Sequence, residues 1–430
     1  MTLRNKDYRD RLLDARIEKL LRAFGAVEIV GSMWCGKTWT ADAHGNSRIS
    51  LTTKSIRELV AADSSLAFEG EIPRVIDEWQ EVPSLWDEAR IRIDAAANRR
   101  GLFILTGSST PAKGEIVHSG TGRIARVHLR PMSLLETGDS TNRVSLSGLF
   151  EGDFKAFQTS TNLRDIAHFI SRGGWPGMLA LKPDEAALIP SQYLDTFISS
   201  SCERDGLDEQ RIRRLLISLA RNTGQSVTYN TMASDIVEGN TSDRREIVNR
   251  QQVEHMLSYL KKHFLLEDLS GWDAPIRSRS RLRVKPKRSF VDPSLTLALL
   301  GADENRLLGD AQLFGKLFEE LCMRDLRILT SAMESAYPES LRYYCDADGL
   351  EVDAIIELRD GRWAAIEIKL GENRVQEAVG NLVRLKKKIS ANPLAQNKEP
   401  SFMAVLLGKT EYCRKTPEGV YIIPLTSLGL

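Results

Sequence analysis

A loop bounded by glycines and followed by a lysine and a hydroxyl is the strongest chemical signal in the sequence. It lies between the apolar run Ala26–Val30 and a helical segment that begins at Lys37. Glycines let the backbone curl so that its N–H groups point at phosphate oxygens, next to the positive end of a helix. Lys37 would then reach the β- and γ-phosphates of ATP, and the Thr38 hydroxyl would bind Mg²⁺. The predicted nucleotide-binding residues of this loop are Gly31, Ser32, Met33, Trp34, Cys35, Gly36, Lys37 and Thr38.

Two further apolar runs end in polar side chains that suit catalysis beside such a loop. One ends in Asp77 and Glu78, and the next ends in Thr106 with Ser108 two positions on. Asp77 would hold the water shell of Mg²⁺, and Glu78 would orient and deprotonate the attacking water. Thr106 and Ser108 are placed to sense the γ-phosphate. The ordinary alternatives are a solvated acid pair at a strand end and hydroxyls that form turns.

Two arginines are candidates for the positive charge that phosphoryl transfer requires. Arg123 and Arg126 lie in residues 119–126, a loop that enters a predicted strand. Either would act as an arginine finger in its own subunit or, in a homo-oligomer, in a neighbouring one. The alternative is that each is a surface arginine. The predicted catalytic residues are therefore Lys37, Glu78 and Arg123.

A second constellation lies near the C-terminus. Asp353 and the pair Glu367 and Lys369 fall on two consecutive predicted strands, and alternation along a strand puts Glu367 and Lys369 on one face. A hairpin would bring Asp353 beside them, and Glu319 on the preceding helix would complete the set. Two carboxylates there would bind Mg²⁺ and the lysine would position a water, as in a PD-(D/E)XK nuclease centre. The alternatives are charges on a solvated sheet face, or a nuclease fold kept as a binding platform.

A run of alternating cations precedes this constellation. On a strand the six side chains would share one face and could lie along nucleic-acid phosphates, as the wing of a winged helix does. If about four engaged phosphates, the log–log salt slope of binding would be roughly −3.6. The alternatives are an edge strand protected by charge, or a solvated loop. The predicted nucleic-acid residues are Arg277, Arg279, Arg281, Arg283, Lys285 and Lys287.

The order of the predicted elements indicates an α/β protein of three domains. Strands alternate with helices over residues 1–150, which predicts a mainly parallel sheet with ligands at the strand C-terminal ends. An amphipathic helix is predicted over residues 7–24. Residues 151–300 are helical, with predicted helices at 228–236 and 247–263 before a short strand pair, and residues 301–430 return to strands and helices.

Composition excludes several classes of protein. The 430 residues carry a formal net charge of +1, so a basic surface must be local. The five cysteines are far apart, which argues against a disulfide framework or a zinc module and suits a reducing cytosol. No run approaches the roughly 18 apolar residues that a membrane span needs. The sequence therefore predicts a cytoplasmic protein without a membrane partner.

Taken together, these motifs resemble the bacterial and archaeal AAA-type ATPases that carry a C-terminal restriction-endonuclease-like domain of unknown function. Such proteins usually have an arginine early in the loop where this sequence has Met33, so a role for that arginine is not carried over. The resemblance covers nearly the whole chain and implies ATP binding with slow hydrolysis. The motifs that carry it, besides the loop, lie at 75–78, 105–109, 129–136, 173–176, 286–293, 318–319, 351–353 and 366–369.

The sequence thus predicts a P-loop AAA-type domain, a helical and winged-helix middle and a restriction-endonuclease-like end. The leading functional hypothesis is an Mg²⁺-dependent ATPase whose nucleotide state alters engagement of a partner, with DNA or another nucleic acid preferred. One alternative is an ATP-gated, metal-dependent nuclease. Another is a non-hydrolysing ATP-binding protein that serves as an interaction or antitoxin-like scaffold.

Overall fold

The computed structural model describes residues 3–97, 99–109, 119–237 and 248–430, without the side chains of residues 200–205. It divides into two compact units. The first comprises Met1–Pro131 with Leu260–Leu265, and the second comprises Met132–Tyr259 with Leu266–Leu430. The three-domain division remains a prediction, and the first residue of the predicted helix 247–263 lies outside the described residues.

The first unit is built around a five-stranded parallel sheet with the order β2-β3-β4-β1-β5. Apolar cores cover both of its faces, so β1, β3 and β4 are buried along their whole lengths. Strands buried on two faces have continuous apolar sequences, and for this reason the three strands can be recognised in the sequence. The elements are α1 (Asp14–Ala23), β1 (Ala26–Val30), α2 (Lys37–His44), β2 (Ser47–Ser50), α3 (Lys54–Ala62), β3 (Arg74–Asp77), α4 (Ser84–Ala95), β4 (Phe103–Gly107) and β5 (Ile124–His128).

The strand register brings three polar strand ends to one edge of this sheet. Val30, the last residue of β1, lies opposite Gly107 of β4, and Asp77 of β3 lies opposite Thr106. Because all five strands are parallel, their C-terminal ends share this edge. The edge is therefore where the loop after β1 meets Asp77 and Thr106.

The second unit begins with helices that surround a two-stranded antiparallel sheet, β8 with β9. A shorter parallel pair, formed by β6 and β16 (Leu428–Gly429), joins an early segment of the second unit to its last strand. The elements up to the long helix are α5 (Leu134–Thr137), β6 (Val144–Ser145), α6 (Leu146–Phe150), β7 (Phe157–Gln158), α7 (Leu163–Arg172), α8 (Pro183–Ala186), α9 (Ile189–Asp205), α10 (Glu209–Arg221), α11 (Tyr229–Ile236), α12 (Arg250–Lys262), β8 (Leu266–Leu269), α13 (Ser280–Arg283), β9 (Lys287–Phe290), α14 (Pro293–Leu299), α15 (Glu304–Gly309) and α16 (Ala311–Ala332).

A seven-stranded mixed sheet completes the second unit, with the order β10-β11-β12-β13-β15-β14-β7. The strand β11 is antiparallel to both of its neighbours, β10 and β12, whereas β12, β13 and β15 are parallel. A large apolar core lies between this sheet and α17. The elements are β10 (Leu341–Cys345), β11 (Glu351–Glu357), β12 (Trp363–Lys369), α17 (Val375–Ala391), β13 (Phe402–Leu407), β14 (Tyr412–Lys415), β15 (Val420–Pro424) and β16 (Leu428–Gly429).

A fully buried ion triad ties distant segments of the second unit together. The Arg324 guanidinium donates to Asp292 at 3.0 Å and to Asp325 at 2.8 Å. Asp292 also accepts the backbone N–H of Gly174, and Asp325 accepts that of Leu134. Burial disfavours the charge of Asp325 and raises its pKa, although Arg324 opposes this. The triad fixes the segments around residues 134, 174 and 292 to α16.

The first predicted helix is shorter than the sequence pattern indicated. It begins at Asp14 rather than at residue 7. Asp14 accepts the backbone N–H of Arg11 at 2.8 Å, and the Arg11 side chain is drawn to carbonyl groups of distant residues. These contacts replace the first turns of helix, because a buried guanidinium must find hydrogen-bond acceptors.

The predicted basic strand is wrong. Residues 280–283 form the short helix α13, and only Lys287 belongs to a strand, β9. The Arg281 guanidinium forms a two-pronged ion pair with Glu357 at 2.7 and 2.8 Å, and Lys287 is buried. Separate ion pairs, rather than one strand face, therefore hold these two cations. The cations that remain exposed are Arg277, Arg279, Arg283 and Lys285.

Across the described part of the chain, none of the helices combines the length and apolar character needed to span a lipid bilayer.

Candidate nucleotide site and carboxylate centre

The loop after β1 has the curled backbone that its glycines predict. Gly36 has φ 99°, in the left-handed region, and Trp34 has φ 68°, which is uncommon for a residue with a side chain. A Cβ on Gly31 would lie 2.1 Å from the Leu129 carbonyl oxygen, so that only glycine fits there. The loop is therefore packed tightly against the chain that follows β5.

The lysine lies within the loop, and the hydroxyl that follows it contacts the end of β3. The Lys37 ammonium is buried and donates to the Ser32 carbonyl at 2.9 Å, so it lies within the loop. The Thr38 Oγ1 donates to Asp77 Oδ1 at 2.8 Å. Asp77 also accepts the hydroxyls of Thr106 at 2.6 Å and Ser50 at 3.0 Å. Thr38 on α2 and Asp77 at the end of β3 are therefore placed so that both could contact one Mg²⁺.

Glu78 is held beside this pair in an unusual conformation. Its φ is 58°, and its backbone N–H donates to Thr106 Oγ1 at 3.1 Å. The carboxylate accepts the Ser108 hydroxyl at 2.8 Å and the Gln80 side-chain amide. Left-handed backbone at a non-glycine residue is a feature that collects at functional sites. The structure thus brings Lys37, Asp77, Glu78, Thr106 and Ser108 to one edge of the sheet.

Arg11 is a supporting residue that the sequence did not reveal. Its side chain is 5% exposed and donates to the carbonyl groups of Cys35 at 2.9 Å and Arg130 at 2.7 Å. The guanidinium thereby anchors the loop to the segment after β5. No local pattern marks this role, because both acceptors are backbone groups of residues remote in sequence.

The Ser32 hydroxyl is buried and has no hydrogen-bond partner within the described part of the chain. Buried polar atoms are nearly always paired, so this hydroxyl is available to an oxygen of a bound ligand. This observation and the Thr38–Asp77 pair are the features of the loop that fit ATP with Mg²⁺.

Arg123 and Arg126 do not reach this edge of the sheet. Arg123 precedes β5, whose first residue lies opposite Ala26 at the start of β1, whereas the loop follows the other end of β1. Arg123 pairs with Asp94 at 2.9 Å, and Arg126 pairs with Glu28 at 2.6 Å. Parallel strands separate their two ends by their length, so the structure does not bring Arg123 to the loop, and the arginine-finger role stays a prediction.

The second constellation is assembled as the sequence predicted. Asp353 on β11 and Glu367 and Lys369 on β12 are adjacent: the Lys369 ammonium lies 3.3 Å from Asp353 and 2.5 Å from Glu367. The Asn381 side chain donates to Glu367 at 3.2 Å. Glu319 on α16 lies near enough to Asp353 that the Asp353 charge helps to raise the pKa of Glu319. We call Glu319, Asp353, Glu367 and Lys369 the carboxylate centre.

Burial and mutual repulsion shift the protonation of this centre. Burial, followed by the charge of Asp353, raises the pKa of both Glu319 and Glu367 well above the usual range of a glutamate. The pKa of Lys369 is raised as well, since the attraction of Asp353 and Glu367 outweighs the effect of burial. Protons and ammonium groups therefore balance part of the negative charge.

Lys287, which the sequence assigned to nucleic acid, also contacts this centre. Its ammonium lies 3.4 Å from Glu319 and 2.5 Å from Glu351. Among the residues that the structure describes, no group of three or more His, Cys, Asp or Glu side chains is arranged to hold a metal ion. The predicted Mg²⁺ site at Asp353 and Glu367 does not fit this arrangement, because the Lys369 ammonium pairs with one carboxylate oxygen of each residue.

Three stretches of the chain match known families. Residues 24–138 match an AAA domain. Residues 163–306 and 314–428 match two domains of unknown function, DUF8612 and DUF4143. The descriptions of these last two domains name no activity.

Among curated proteins, the chain is similar to the uncharacterized protein Rv2008c of Mycobacterium tuberculosis and the uncharacterized protein Mb2031c of Mycobacterium bovis. Each is 25% identical over 362 residues, which are 83% of this chain and 72% of the relative. Among solved structures, the Walker-type ATPase paby2304 of Pyrococcus abyssi has 12% identity and a TM-score of 0.41, covering 70% of this chain and 98% of its own. A score this low supports no further statement. The AAA-domain match at residues 24–138, on a parallel α/β sheet with a phosphate-type loop, supports an AAA-type P-loop ATPase domain in the N-terminal part of the chain.

Proposed function

We propose that this chain binds ATP with Mg²⁺ in the loop after β1 and hydrolyses it to ADP and phosphate. The observation that carries the proposal is the 2.8 Å hydrogen bond between Thr38 and Asp77, which come from two separate elements. These are the two groups that would hold Mg²⁺ against the β- and γ-phosphates. The buried Lys37 supports the proposal, because an ammonium inside the loop would neutralise phosphate charge.

Glu78 is the residue proposed to orient and deprotonate the attacking water. Ser108 and Gln80 hold its carboxylate next to Asp77, and Thr106 fixes its backbone. A carboxylate that is fixed in this way needs no reorganisation when the water loses its proton. Thr106 and Ser108 would also respond to the γ-phosphate, since both hydroxyls lie at the same edge.

A separate proposal is that Arg123 supplies the positive charge that stabilises the transition state. Since Arg123 lies at the far edge of its own sheet, it would have to serve the site of a neighbouring subunit. That role requires a homo-oligomer and the release of Arg123 from Asp94. Turnover per subunit should then rise with protein concentration in the wild type and not in Arg123→Ala.

Phosphate release tests the hydrolysis proposal. Wild type should release phosphate from ATP in the presence of Mg²⁺, and Glu78→Gln should lose at least about 100-fold in rate, the usual effect of removing a general base. Glu81→Gln, on the turn that follows, serves as the matched control. Equal rates in wild type and Glu78→Gln, at the background of ATP alone, would favour the non-hydrolysing scaffold.

Nucleic acid is the proposed partner class. The helices α10, α11 and α12 precede the antiparallel pair of β8 and β9, the order of elements in a winged helix. The connection between β8 and β9 carries four exposed cations, Arg277, Arg279, Arg283 and Lys285. Four phosphate contacts correspond to a log–log salt slope of roughly −3.6.

A titration with duplex and single-stranded DNA, with and without ATP and Mg²⁺, tests the partner. Arg279→Ala together with Arg283→Ala should reduce the magnitude of the salt slope by about two units, whereas Arg213→Ala with Arg221→Ala should not. No binding at low salt in either nucleotide state would exclude nucleic acid.

The alternative of an ATP-gated nuclease has one supporting observation, the adjacency of Asp353, Glu367 and Lys369 on two strands. The sequence predicts this arrangement of side chains for a restriction-endonuclease-like domain. Mg²⁺-dependent DNA cleavage that is lost in both Asp353→Ala and Lys369→Ala would favour it. Cleavage that survives both substitutions would place the activity elsewhere.

A further inference from the structure

A buried carboxylate lies in the middle of β1, whose other residues are apolar. Glu28 is only 1% exposed, and a glutamate buried to this extent is rare unless it is paired. One of its oxygens accepts the indole N–H of Trp79 at 3.2 Å, and the other accepts the Nε–H of Arg126 at 2.6 Å. Burial raises the pKa of Glu28, although Arg126 opposes the shift. Because a charged group is costly to place inside a sheet, its two partners indicate what it does.

Trp79, the first of these partners, directly follows Glu78, the proposed general base. Its side chain is fully buried, and its ring packs against that of Trp86 with the centroids 4.9 Å apart. A Cβ on Gly107 would lie 3.3 Å from the indole nitrogen, so the edge of the ring also lies close to the end of β4. Packing and the hydrogen bond to Glu28 together fix the orientation of the Trp79 ring.

The backbone of Glu78 needs an anchor of this kind. Its φ of 58° is left-handed, a conformation that costs free energy in a residue with a side chain and persists only where the surroundings impose it. On one side of the residue, the Glu78 N–H donates to Thr106 Oγ1 at 3.1 Å. On the other side, the next residue is Trp79 with its fixed ring. The direction of the Glu78 carboxylate therefore depends on both anchors.

Arg126, the second partner, balances the charge of Glu28 from the neighbouring strand. It lies on β5 opposite Glu28 in the strand register, and its side chain is 49% exposed. Because water reaches this guanidinium, replacement of Glu28 by an uncharged residue does not leave a buried, unpaired cation. Substitutions of Glu28 can therefore report on its hydrogen bond to Trp79.

We infer that Glu28 is a positioning residue for ATP hydrolysis, and that it holds the Glu78 carboxylate in its active direction through the indole of Trp79. The inference rests on the proposed role of Glu78 as the base that deprotonates the attacking water. Glu28 lies in the middle of β1, before the loop, and acts only through Trp79. It therefore affects the rate of the chemical step and not the affinity for ATP.

Phosphate release by the full-length protein, measured over a range of ATP concentrations with Mg²⁺, tests this inference. Glu28→Met removes the acceptor of the Trp79 N–H and should lower kcat about tenfold or more, since small displacements of a catalytic group have effects of this size. KM should stay within about threefold of the wild type, because the loop is unchanged and slow chemistry makes KM report ATP affinity. Glu28→Gln keeps an oxygen that can accept the N–H and should recover most of the wild-type kcat.

Two further variants separate positioning from a general loss of stability. Trp79→Phe removes the N–H but keeps a ring, so it should also lower kcat, and it carries the test if Glu28→Met fails to fold. Combined with Glu28→Met it should be no slower than the slower single variant, because both changes delete the same hydrogen bond. Arg74→Met is the matched structural control: Arg74 is buried at the start of β3 and donates to the Ala67 carbonyl at 3.1 Å. It should lower stability and leave kcat unchanged.

The inference would be overturned by a wild-type kcat in folded Glu28→Met and Trp79→Phe, or by a loss that Glu28→Gln does not recover. An equal loss of kcat in Arg74→Met would overturn it too, since the effect would then follow stability. These outcomes leave the proposed hydrolysis intact as long as the wild type is active and Glu78→Gln is not. A wild type that releases no phosphate above background would overturn the proposed hydrolysis and this inference together.

Discussion

The Thr38 hydroxyl donates a 2.8 Å hydrogen bond to Asp77, although the two residues are 39 positions apart in sequence. Thr38 belongs to α2 and Asp77 ends β3, and β4 with Thr106 lies between β3 and β1. The hydroxyl of Thr106 reaches the same carboxylate oxygen at 2.6 Å. Three elements therefore converge on one carboxylate, which would reduce the reorganisation needed for the proposed binding of Mg²⁺ with ATP.

Substitution of the first loop glycine should disable nucleotide binding. In Gly31→Ala the new methyl group meets the Leu129 carbonyl oxygen at 2.1 Å, and that backbone cannot move without disturbing β5. We expect ATP affinity to fall by about tenfold or more and stability to fall by about 1–3 kcal/mol. Calorimetric titration with ATP measures the first effect and urea denaturation the second.

The matched control is Gly380→Ala on α17, where a new Cβ would meet nothing within 4 Å. Alanine is the better helix former, so this variant should keep its stability or gain about 1 kcal/mol, and ATP affinity should not change. Normal ATP affinity in Gly31→Ala would show that the loop does not hold the nucleotide.

Removal of the Arg11 anchor should loosen the loop. Arg11→Met leaves the carbonyl groups of Cys35 and Arg130 without their charged donor. Loss of such bonds costs about 2 kcal/mol or more, and ATP should bind several-fold more weakly because the loop is less ordered. Arg22→Met, at an arginine that is 71% exposed, should change neither quantity. Unchanged stability in Arg11→Met is the outcome that contradicts this account.

The stability of the first unit should depend on pH through Asp42. Burial raises the pKa of this carboxyl to about 6, although Arg48 opposes the shift, and one of its oxygens is buried without a hydrogen-bond partner in the described residues. The folded chain then binds this proton more tightly than the unfolded chain does. Its stabilising contribution is therefore present below a pH of about 4 and is lost as the pH rises through about 6.

Asp42→Asn removes this dependence. The free energy of unfolding of the variant, relative to that of the wild type, should rise between pH 4 and pH 7 in urea denaturation. Parallel pH profiles for the two proteins would show that Asp42 titrates alike in both states.

The buried ion triad should be essential to the second unit. Arg324→Met leaves the carboxylates of Asp292 and Asp325 buried without a counter-charge, at a cost of about 3–5 kcal/mol. Arg213→Met breaks an exposed pair with Asp195 and should cost less than about 1 kcal/mol. Similar losses in the two variants, measured by urea denaturation, would mean that burial of the triad does not decide its contribution.

Much of the first unit was predictable because its signals are local. The strands β1, β3 and β4 are continuous apolar runs, and the residues that follow them, such as Asp77 and Thr106, lie at one edge by the geometry of a parallel sheet. The pairing of Asp353 with Lys369 followed in the same way from two adjacent strands.

The errors have a common physical origin in contacts between remote residues. Arg11 leaves the predicted helix because its acceptors are the carbonyl groups of Cys35 and Arg130, which no local pattern reveals. Arg281 and Lys287 have the spacing of a strand but pair with different acids, Glu357 and Glu319. Arg123 was chosen by residue type, but it precedes β5, and because β5 runs parallel to β1 it lies at the opposite end of the sheet from the loop.

Calorimetric titration of Glu78→Gln protein with ATP, in Mg²⁺ and in EDTA, tests the central claim most directly, because slow turnover keeps the ligand intact. Mg²⁺ should strengthen binding by about tenfold or more, and adding Asp77→Asn should remove that gain while leaving the affinity in EDTA nearly unchanged. Adding Lys37→Ala should weaken binding in both conditions. Equal affinities in all of these proteins would contradict the claim that this loop and Asp77 form an Mg²⁺–ATP site.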